Sequence, residues 1–486
     1  MKNLVTFLYT PFLLRFVGQT DYGLFQMTNS VMLSLSLLSM GFSSAYVKFY
    51  ITYKVKEEFE KIKKLNGLYL IIFASISVIS LIIGSILVFN TNRLFGNTLN
   101  LREIRLTRLL MSIMVIDIAI TFISSVFDSN ITVNEQFIFQ QSRQLMQTFL
   151  VPMICVPMVF LGVGVLSIEI TQLLVTTVFL LLNVSYCMKK LDMQFSFHDL
   201  PLDLFKGLLA FSFFIFLNQM VDLVNNNIPN FILGMFRGAR MVATFAIAVQ
   251  IKNMFFMLST SLSSMFIPKI HELINLKRSK STLTDLMIKV GRIQMTILFF
   301  VLGGFIVVGR YFVVIWAGKE NIAAYSLIIL MVLPSIIPLS QNIGIEMQRA
   351  MNKHIFRSIV YSLFAVVNIA VTVLGSIKFG LIGASLGYVI SILSANGILM
   401  NWYYEKKMGL EMKRYWKETL PITIPFTLST CLLLFGQLYV QITSFKFFLI
   451  FGLIYTLVYG LVYYRFVANN YEKSTISNML KIRRGA

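Results

Sequence analysis

The chain has 486 residues, of which 57% are hydrophobic and only 13% are charged, and its formal net charge is +21. A mean hydropathy of +0.77 excludes an ordinary water-soluble globular protein and leaves no separate soluble domain that could present a nucleic-acid surface. We therefore expect a polytopic membrane protein, and we attribute the positive charge to membrane topology and to attraction by anionic inner-leaflet lipids.

Fourteen apolar stretches are long enough to be membrane spans, since about 20 apolar residues cross about 30 Å of hydrocarbon. Along the chain, the predicted spans lie near residues 3–17, 22–47, 66–89, 109–127, 143–161, 165–188, 207–236, 241–267, 290–315, 322–348, 357–377, 380–403, 420–442 and 446–467. The pattern predicts an all-α fold, and the even number of spans places both termini on one side of the membrane.

Lys and Arg are distributed unequally between the segments that join these spans. Thirty of the 42 fall in alternate segments that begin with the N-terminus, eleven fall in the other segments, and Lys252 lies within a span. Because the cytoplasmic side of a membrane protein collects Lys and Arg, we expect both termini and the large basic loops to be cytoplasmic.

A weak internal repeat indicates two lobes. GQTDYGLF at 18–25 and GARMVATF at 238–245 share a glycine and, seven residues later, a phenylalanine. Six spans separate the two turns, so the copies would insert with the same orientation. We expect an N-lobe over 1–188, a cytoplasmic linker over 189–206, a C-lobe over 207–403, and two further helices with a basic tail over 404–486. The repeat also predicts a helix 1 that lacks about 15 N-terminal residues, since a much longer span precedes Gly238.

Asp222 and Lys252 are the most informative charged residues inside predicted spans. They lie 16 and 14 residues from the turn near residue 238, so at 1.5 Å per residue their depths agree and they could pair. Charges at this depth normally face a bundle interior or an aqueous cavity. The pair could be static, or it could open when substrate or a cation enters. The amides of the same two spans favour a wet cavity: Asn218, Gln219, Asn225, Asn226, Asn227, Gln250 and Asn253.

Other polar residues of the spans have more than one interpretation. Asp117 could be a coupling carboxylate or part of a cavity wall, and we expect Glu169 to reach the outer interface. Arg15 could reach the same interface or face between the lobes, and Lys48 ends span 2 at the cytoplasmic surface. Near the cytoplasmic end of span 10, after two prolines that predict a bend, lie Gln341, Asn342, Glu346 and Arg349.

The sequence contains no pattern typical of a catalytic, cofactor or metal site. The three cysteines lie far apart in apolar spans, and the three histidines lie in loops without a second ligand at metal spacing. There is no grouping of nucleophile and base and no glycine-rich phosphate loop. We therefore expect neither an enzyme nor an ATPase, and no bound cofactor.

Five segments of the chain carry a family resemblance: LYTPFLLRFVGQTDYGLF, FLNQMVDLVNNNIPNFILGMFRG, FAIAVQIKNMFFMLSTSLSSMFIPKI, IWAGKENIAAYSLIIL through QNIGIEMQRAMNKH, and WYYEKKMGLEMKRYWKE. They resemble the Wzx-type flippases of lipid-linked oligosaccharides, which are polysaccharide biosynthesis transporters of the MATE-like MOP superfamily. Together these segments extend over nearly the whole chain. Many relatives carry another acidic residue where this chain has Ile228, Pro229 and Asn230, so Asp222 would have to serve alone in ion coupling.

The resemblance implies two lobes that rock around a central cavity in the bacterial cytoplasmic membrane and carry an undecaprenyl-pyrophosphate-linked sugar unit outwards. Pyrophosphate needs cationic donors, and the candidates are Arg15, Lys48 and Lys252. The sugars would contact the amides Asn218, Gln219, Gln250, Gln341 and Asn342. Coupling or gating falls to Asp117, Asp222 and Glu346, with H⁺ or Na⁺ as the coupling ion. Membrane lipids and the polysaccharide polymerase machinery are the expected partners.

Three alternatives remain open on the same sequence. A MATE-like exporter of drugs or metabolites would share the fold, but a carrier of organic cations should line its cavity with carboxylates, and the charges here are mixed. A flippase of the cell-wall lipid precursor would also carry an anion, typically with more arginines in the N-lobe. A membrane scaffold for polymerase and ligase partners would not transport at all.

Overall fold

The structure is a computed structural model that describes residues 2–39, 41–198, 212, 216, 219–221, 223–351, 353 and 355–474. Within these ranges the chain is helical and has no strand. The main helices are α1 Lys2–Phe16, α2 Gln19–Ser36, α3 Phe42–Val55, α4 Phe59–Phe89, α5 Leu101–Val133, α6 Phe137–Phe160, α7 Leu166–Lys190, α8 Ile228–Arg237, α9 Ala239–Ser264, α10 Ile267–Asn275, α11 Lys280–Ala317, α12 Ala323–Ser340, α13 Asn342–Ala350, α14 Ile355–Ile392, α15 Met412–Thr419, α16 Thr423–Gln437 and α17 Phe445–Val462.

Eleven helical segments of the described chain are long and apolar enough to cross a membrane, and the protein is a multi-pass membrane protein. One of them, Ile355–Met408, has 54 residues and would be about 80 Å long as a straight helix, which is enough for two crossings. A shorter apolar helix covers Leu4–Phe16, and most of the predicted span 207–236 lies outside the described residues. The count of fourteen therefore stays a prediction.

The helices extend beyond the predicted spans at their polar ends. For example, α5 begins eight residues before the predicted span 109–127, where Asn100 and Glu103 form a capping box. Likewise, α11 begins ten residues before the predicted span 290–315, after the N-cap Ser279. Hydropathy marks only the part of a helix that lies in hydrocarbon, whereas capping residues fix where its backbone hydrogen bonds stop.

Two glycines interrupt long helical segments. Gly41 separates α2 from α3 with φ +90°, and a Cβ there would lie 2.5 Å from the carbonyl oxygen of Ser212. Gly380, with φ 59° and ψ −126°, interrupts α14. Both breaks depend on a backbone conformation that glycine adopts without the steric strain of a Cβ.

Contacts within the chain define two compact units. The first comprises Met1–Ala246 with Ala365–Ala384, and the second comprises Ile247–Phe364 with Ser385–Ala486. These units differ from the lobes expected from the repeat, and the lobe boundaries stay a prediction.

In the first unit, a buried polar network joins three helices, and a half-buried ion pair links a fourth helix to one of them. The Tyr46 hydroxyl donates to Asn66 Oδ1 at 2.8 Å and accepts from Asn130 Nδ2 at 3.0 Å. The Tyr46 and Tyr69 rings stack with centroids 4.5 Å apart. An ion pair between Arg143 and Asp128 links α6 to α5 nearby in sequence. The network fixes one register of α3, α4 and α5, because every buried polar group needs its partner.

The two turns of the internal repeat also lie together in the first unit. Gly18 and Gly238 both precede a helix and have φ values of +91° and +82°. The Gln19 side-chain amide donates to Thr244 Oγ1 at 3.3 Å, so the two turns are adjacent. A Cβ on Gly23 would lie 1.9 Å from the carbonyl oxygen of Ala239, which explains why a glycine stands there.

In the second unit, an ion pair attaches the segment after α17 to α11. Arg292 donates from Nε and Nη2 to the two carboxylate oxygens of Glu472 at 2.7 and 2.8 Å. Its Nη2 also donates to the Val467 carbonyl at 2.9 Å. The side chains of both ions are nearly buried. This two-pronged geometry is the strong form of a charge-assisted hydrogen bond.

Candidate functional site

Lys252 lies on α9, in the second unit, and its side chain is 1% exposed. Its ammonium nitrogen lies 4.2 Å from the centroid of the Tyr388 ring and 5.9 Å from that of Phe256. The Tyr388 hydroxyl shares a hydrogen bond of 2.7 Å with Ser335 on α12. The structure therefore confines a cation at membrane depth against an aromatic face, which is a favourable electrostatic arrangement.

The structure does not describe Asp222, the predicted ion-pair partner of Lys252. Asp222 and Asn218 both lie outside the described residues, so the ion pair with Asp222 stays a prediction. Of the other amides predicted on these spans, Gln219 is exposed and Gln250 is half-buried.

A ladder of neutral polar groups occupies the first unit. Asn368 Nδ2 donates to Asn225 Oδ1 at 2.7 Å, and the Thr372 hydroxyl donates to Asn368 Oδ1 at 3.0 Å. The same hydroxyl lies 3.4 Å from the Ala384 carbonyl. Asn368 and Thr372 are each 1% exposed. One of the predicted amides, Asn225, is thus hydrogen-bonded to Asn368 of α14, which is in turn bonded to Thr372, and all three groups are uncharged.

Two carboxyl groups lie inside the first unit. Asp117 on α5 has a buried Oδ1 with no hydrogen-bond partner, and Glu169 on α7 is 6% exposed. The two are close enough for their charges to repel, and neither has an ion-pair partner among the described residues. The expectation that Glu169 reaches the outer interface is wrong, because the first turn of α7 is itself buried, as Ser167 and Thr171 show.

The end of α12 and the start of α13 carry an amide network in the second unit. Gln341 donates to Asn401 Oδ1 at 2.9 Å, and this oxygen also accepts from the Trp416 indole at 2.8 Å. Asn342 donates to Ser259 Oγ at 2.7 Å. The predicted bend takes the form of a break, since α12 ends at Ser340 and α13 begins at Asn342. Both predicted amides are therefore engaged in holding this break.

Of the remaining predicted residues, Arg15 and Lys48 are exposed and Glu346 is half-buried. Arg15 and Lys48 are exposed on α1 and α3, and each has a further interaction within the chain. Glu346 forms an ion pair with Arg349 one turn later on α13, at 2.8 Å. That pair follows ordinary helix spacing.

The sequence analysis did not predict the residues that contact the predicted site residues in the folded chain. Tyr388, Asn368, Thr372 and Asn401 were not selected, although each is a polar residue in an otherwise apolar helix. The available signal was this polarity itself, since a buried hydrogen-bonding group in a span needs a partner. Among the described residues, no three His, Cys, Asp or Glu side chains come together as a metal site would require.

A family model matches more than half of the chain. The model of the family described as "Polysaccharide biosynthesis protein" matches residues 1–274. A search of curated proteins found no match.

Solved structures share the fold at low sequence identity. "Lipid II flippase MurJ, inward closed conformation" is 16% identical, with a TM-score of 0.70, and the alignment covers 96% of this chain and 97% of that one. An inward-facing multidrug resistance MATE family transporter of the MOP superfamily is 14% identical, with a TM-score of 0.63 over 85% of this chain and 96% of its own. A Vibrio cholerae MATE transporter is 12% identical, with a TM-score of 0.52 over 86% and 100%. The fold is therefore that of MurJ and the MATE transporters.

Proposed function

Because the chain belongs to the polysaccharide biosynthesis protein family, we propose that it is a flippase for undecaprenyl-pyrophosphate-linked oligosaccharide repeat units. It moves them from the inner to the outer leaflet of the bacterial cytoplasmic membrane for O-antigen, capsule or exopolysaccharide synthesis. Both termini are cytoplasmic in this proposal, and the protein itself performs no catalytic step. A fold shared with a lipid II flippase, whose substrate is named as a lipid, is compatible with this substrate class.

The observation that carries the proposal is the buried Lys252. An intramembrane cation is costly to insert, so its presence in a span calls for a function. A pyrophosphate group bears about two negative charges and needs Lys or Arg donors to replace its water. In the proposed cycle, the Tyr388 ring that covers the ammonium moves aside when the substrate enters.

The direction of transport is favourable without ATP. Moving a net charge of about −2 outwards across a membrane with an inside-negative potential is downhill in electrical energy by roughly 4–5 kcal/mol per 100 mV. In this proposal, alternating access carries the headgroup past Lys252 while the polyprenyl tail stays in lipid. Coupling to entry of H⁺ or Na⁺ would add to this driving force, and the polymerase machinery would take up the product.

The test measures lipid-linked repeat units in a strain that lacks the protein. Wild type, Lys252→Ala, Asp222→Asn and the matched control Lys378→Ala are returned, and membrane insertion is verified for each. Lys378 is exposed on α14, so its loss removes the same charge elsewhere. We expect cytoplasm-facing intermediates to accumulate in the null and Lys252→Ala strains, and to clear with wild type and Lys378→Ala. Clearance by Lys252→Ala would contradict the anion site.

A cation-coupled exporter of drugs or metabolites is the second candidate, and the half-buried Asp117 and the buried Glu169 favour it. Two carboxyl groups inside a membrane protein suit an organic cation better than an anion. This function predicts that the null strain becomes sensitive to cationic compounds and accumulates no lipid-linked intermediate. The same set of strains therefore separates the two functions.

A further inference from the structure

Several arginines lie in the predicted outer segments, where the distribution of Lys and Arg along the chain predicts few cations. The eleven cations of the predicted outer segments include four arginines within residues 91–108, and the same stretch has a single acidic residue, Glu103. Because outer loops are normally poor in Lys and Arg, this group is unlike the rest of the chain. We define the outer arginine patch as Arg93, Arg102, Arg105, Arg108 and Arg240.

The first two turns of α5 present three of these side chains to the surroundings. Arg102, Arg105 and Arg108 are all exposed and recur at every third position. Side chains three apart on a helix are neighbours, so these like charges repel one another. Cations at a helix N-terminus also face the positive end of the helix dipole. The arrangement is therefore unfavourable for the isolated protein.

The acidic residues nearby are already engaged. Asp21 accepts a hydrogen bond from Arg102 at 3.0 Å, and Glu103 accepts one from the backbone of Asn100 in the capping box, at 2.9 Å. Arg105 and Arg108 have no ion-pair or side-chain hydrogen-bond partner among the described residues.

The patch extends to the turn at Gly238 in the same unit. Arg240 Nε donates to Thr20 Oγ1 at 3.2 Å, and Thr20 is the chain neighbour of Asp21, which holds Arg102. Arg240 and Arg102 therefore both bond side chains in the first turn of α2. Arg93 is exposed in the short helix Thr91–Phe95, which lies between α4 and α5.

The depth of the patch places it at lipid headgroups. α5 has 33 residues, which is about 50 Å at 1.5 Å per residue, whereas the hydrocarbon is about 30 Å thick. Its first two turns therefore project beyond the hydrocarbon, and the exposed Leu101 and Leu109 flank the arginines with apolar surface. Guanidinium groups bind phosphate with two parallel hydrogen bonds.

We infer that the outer arginine patch is a binding surface for the net-anionic phosphate headgroups of lipids in the outer leaflet. Anionic phospholipid headgroups and the pyrophosphate of the transported lipid offer the same chemistry. Only the choice of the outer leaflet rests on the orientation in the proposed function, and the binding itself does not depend on transport.

The experiment is native mass spectrometry of the purified full-length protein with added lipid. The probes are phosphatidylglycerol, undecaprenyl pyrophosphate and, as a zwitterionic reference, phosphatidylcholine. The variant is Arg105→Gln with Arg108→Gln, and the control is Arg310→Gln with Lys319→Gln, which removes two exposed charges at another predicted outer end. We expect about a tenfold or greater loss of bound anionic lipid for the first pair, with phosphatidylcholine binding unchanged.

The outcomes separate the sources and test the inference. Loss for phosphatidylglycerol alone identifies phospholipid headgroups, and loss for undecaprenyl pyrophosphate alone identifies the transported lipid. Equal anionic-lipid binding by the two double variants would overturn the inference. So would a loss of phosphatidylcholine binding as large as the loss of anionic lipid, because the patch would then not select anionic headgroups. Labelling of Arg105→Cys by an impermeant thiol reagent in intact cells tests the side, and labelling only after lysis would contradict the outer location.

Discussion

The ammonium nitrogen of Lys252 on α9 lies 4.2 Å from the centroid of the Tyr388 ring in the helical segment that follows Gly380. A desolvated cation over an aromatic face gains about 2 kcal/mol, and the Tyr388 hydroxyl is held by Ser335 at 2.7 Å. The aromatic ring thus supplies part of the stabilisation that water would give to the charge.

Tyr388→Leu should lower the free energy of unfolding by about 2 kcal/mol, because Lys252 loses its aromatic face. Tyr388→Phe keeps the ring and loses only the hydrogen bond to Ser335, so it should retain most of the stability. Thermal unfolding of the detergent-solubilised protein measures the difference. Equal destabilisation by Leu and Phe would mean that the hydroxyl, and not the ring, matters.

Asn368→Leu should destabilise the first unit. The substitution removes the groups that bond the half-buried Asn225 and the buried Thr372 and leaves both without this partner, at a cost of about 1–3 kcal/mol. Asn97→Ala, in the exposed loop before α5, is the matched control and should be neutral. Thermal unfolding compares the two variants, and equal midpoints would show that the ladder contributes nothing.

Gly383→Ala should be destabilising by about 1–3 kcal/mol, because a Cβ would lie 1.9 Å from the Gly375 carbonyl oxygen. This close approach is the type of contact that small residues permit between membrane helices. At Gly452 on α17 a Cβ meets nothing within 4 Å, so Gly452→Ala should be neutral or slightly stabilising. Membrane expression and thermal unfolding measure both, and a neutral Gly383→Ala would mean that the two helix halves separate easily.

The Arg292–Glu472 pair predicts a pH-dependent stability. Burial would raise the pKa of Glu472, but hydrogen bonds from Arg292 and the backbone of Asn469 outweigh it and hold the pKa below the ordinary 4.5. Since the folded-state pKa is lowered, the pair is stabilising above pH 4.5 and loses its effect as pH falls through the folded-state value.

Glu472→Gln should therefore be destabilised at pH 7 by about 3 kcal/mol, because a buried guanidinium loses its counter-ion. The difference from wild type should begin to shrink below pH 4.5, where the unfolded chain takes up a proton at Glu472, and should vanish below the folded-state pKa, where folded wild type also carries a neutral carboxyl. Thermal unfolding between pH 3.5 and pH 7, values chosen to bracket 4.5, provides the measurement. A difference that stays constant with pH would show that Glu472 acts through packing alone.

Asp117→Leu should raise the thermal stability, because it removes a half-buried carboxyl whose buried Oδ1 has no hydrogen-bond partner. If Asp117 couples transport to a cation, the same variant should accumulate lipid-linked repeat units although it is well folded. Asp128→Leu is the contrasting variant, since it breaks the ion pair with Arg143 and should be destabilising. If the Asp117→Leu protein clears the lipid-linked repeat units as well as wild type does, Asp117 has no coupling role.

Much of the fold was predictable, and most of the site was not. The first predicted span, 3–17, became α1 over Lys2–Phe16, because hydropathy is a sum over neighbouring residues. Gly18 and Gly238 were recognised as equivalent turns, and both adopt positive φ. In contrast, Asn225 was predicted as a site residue because it belongs to a run of amides. Its hydrogen-bond partner Asn368 lies in a different predicted span, in which no sequence pattern pointed to a site.

The sequence by itself determined the class of the protein, its membrane-spanning helices and its charge bias, because a bilayer requires each span to be apolar over its own length. Only the tertiary structure decided that Lys252 faces Tyr388 and that Glu169 is buried. It also decided that the predicted span 22–47 is interrupted at Gly41, where the backbone packs against Ser212. Those features depend on which faces of distant helices meet. That choice follows from side-chain packing between helices, which no local pattern of residues encodes.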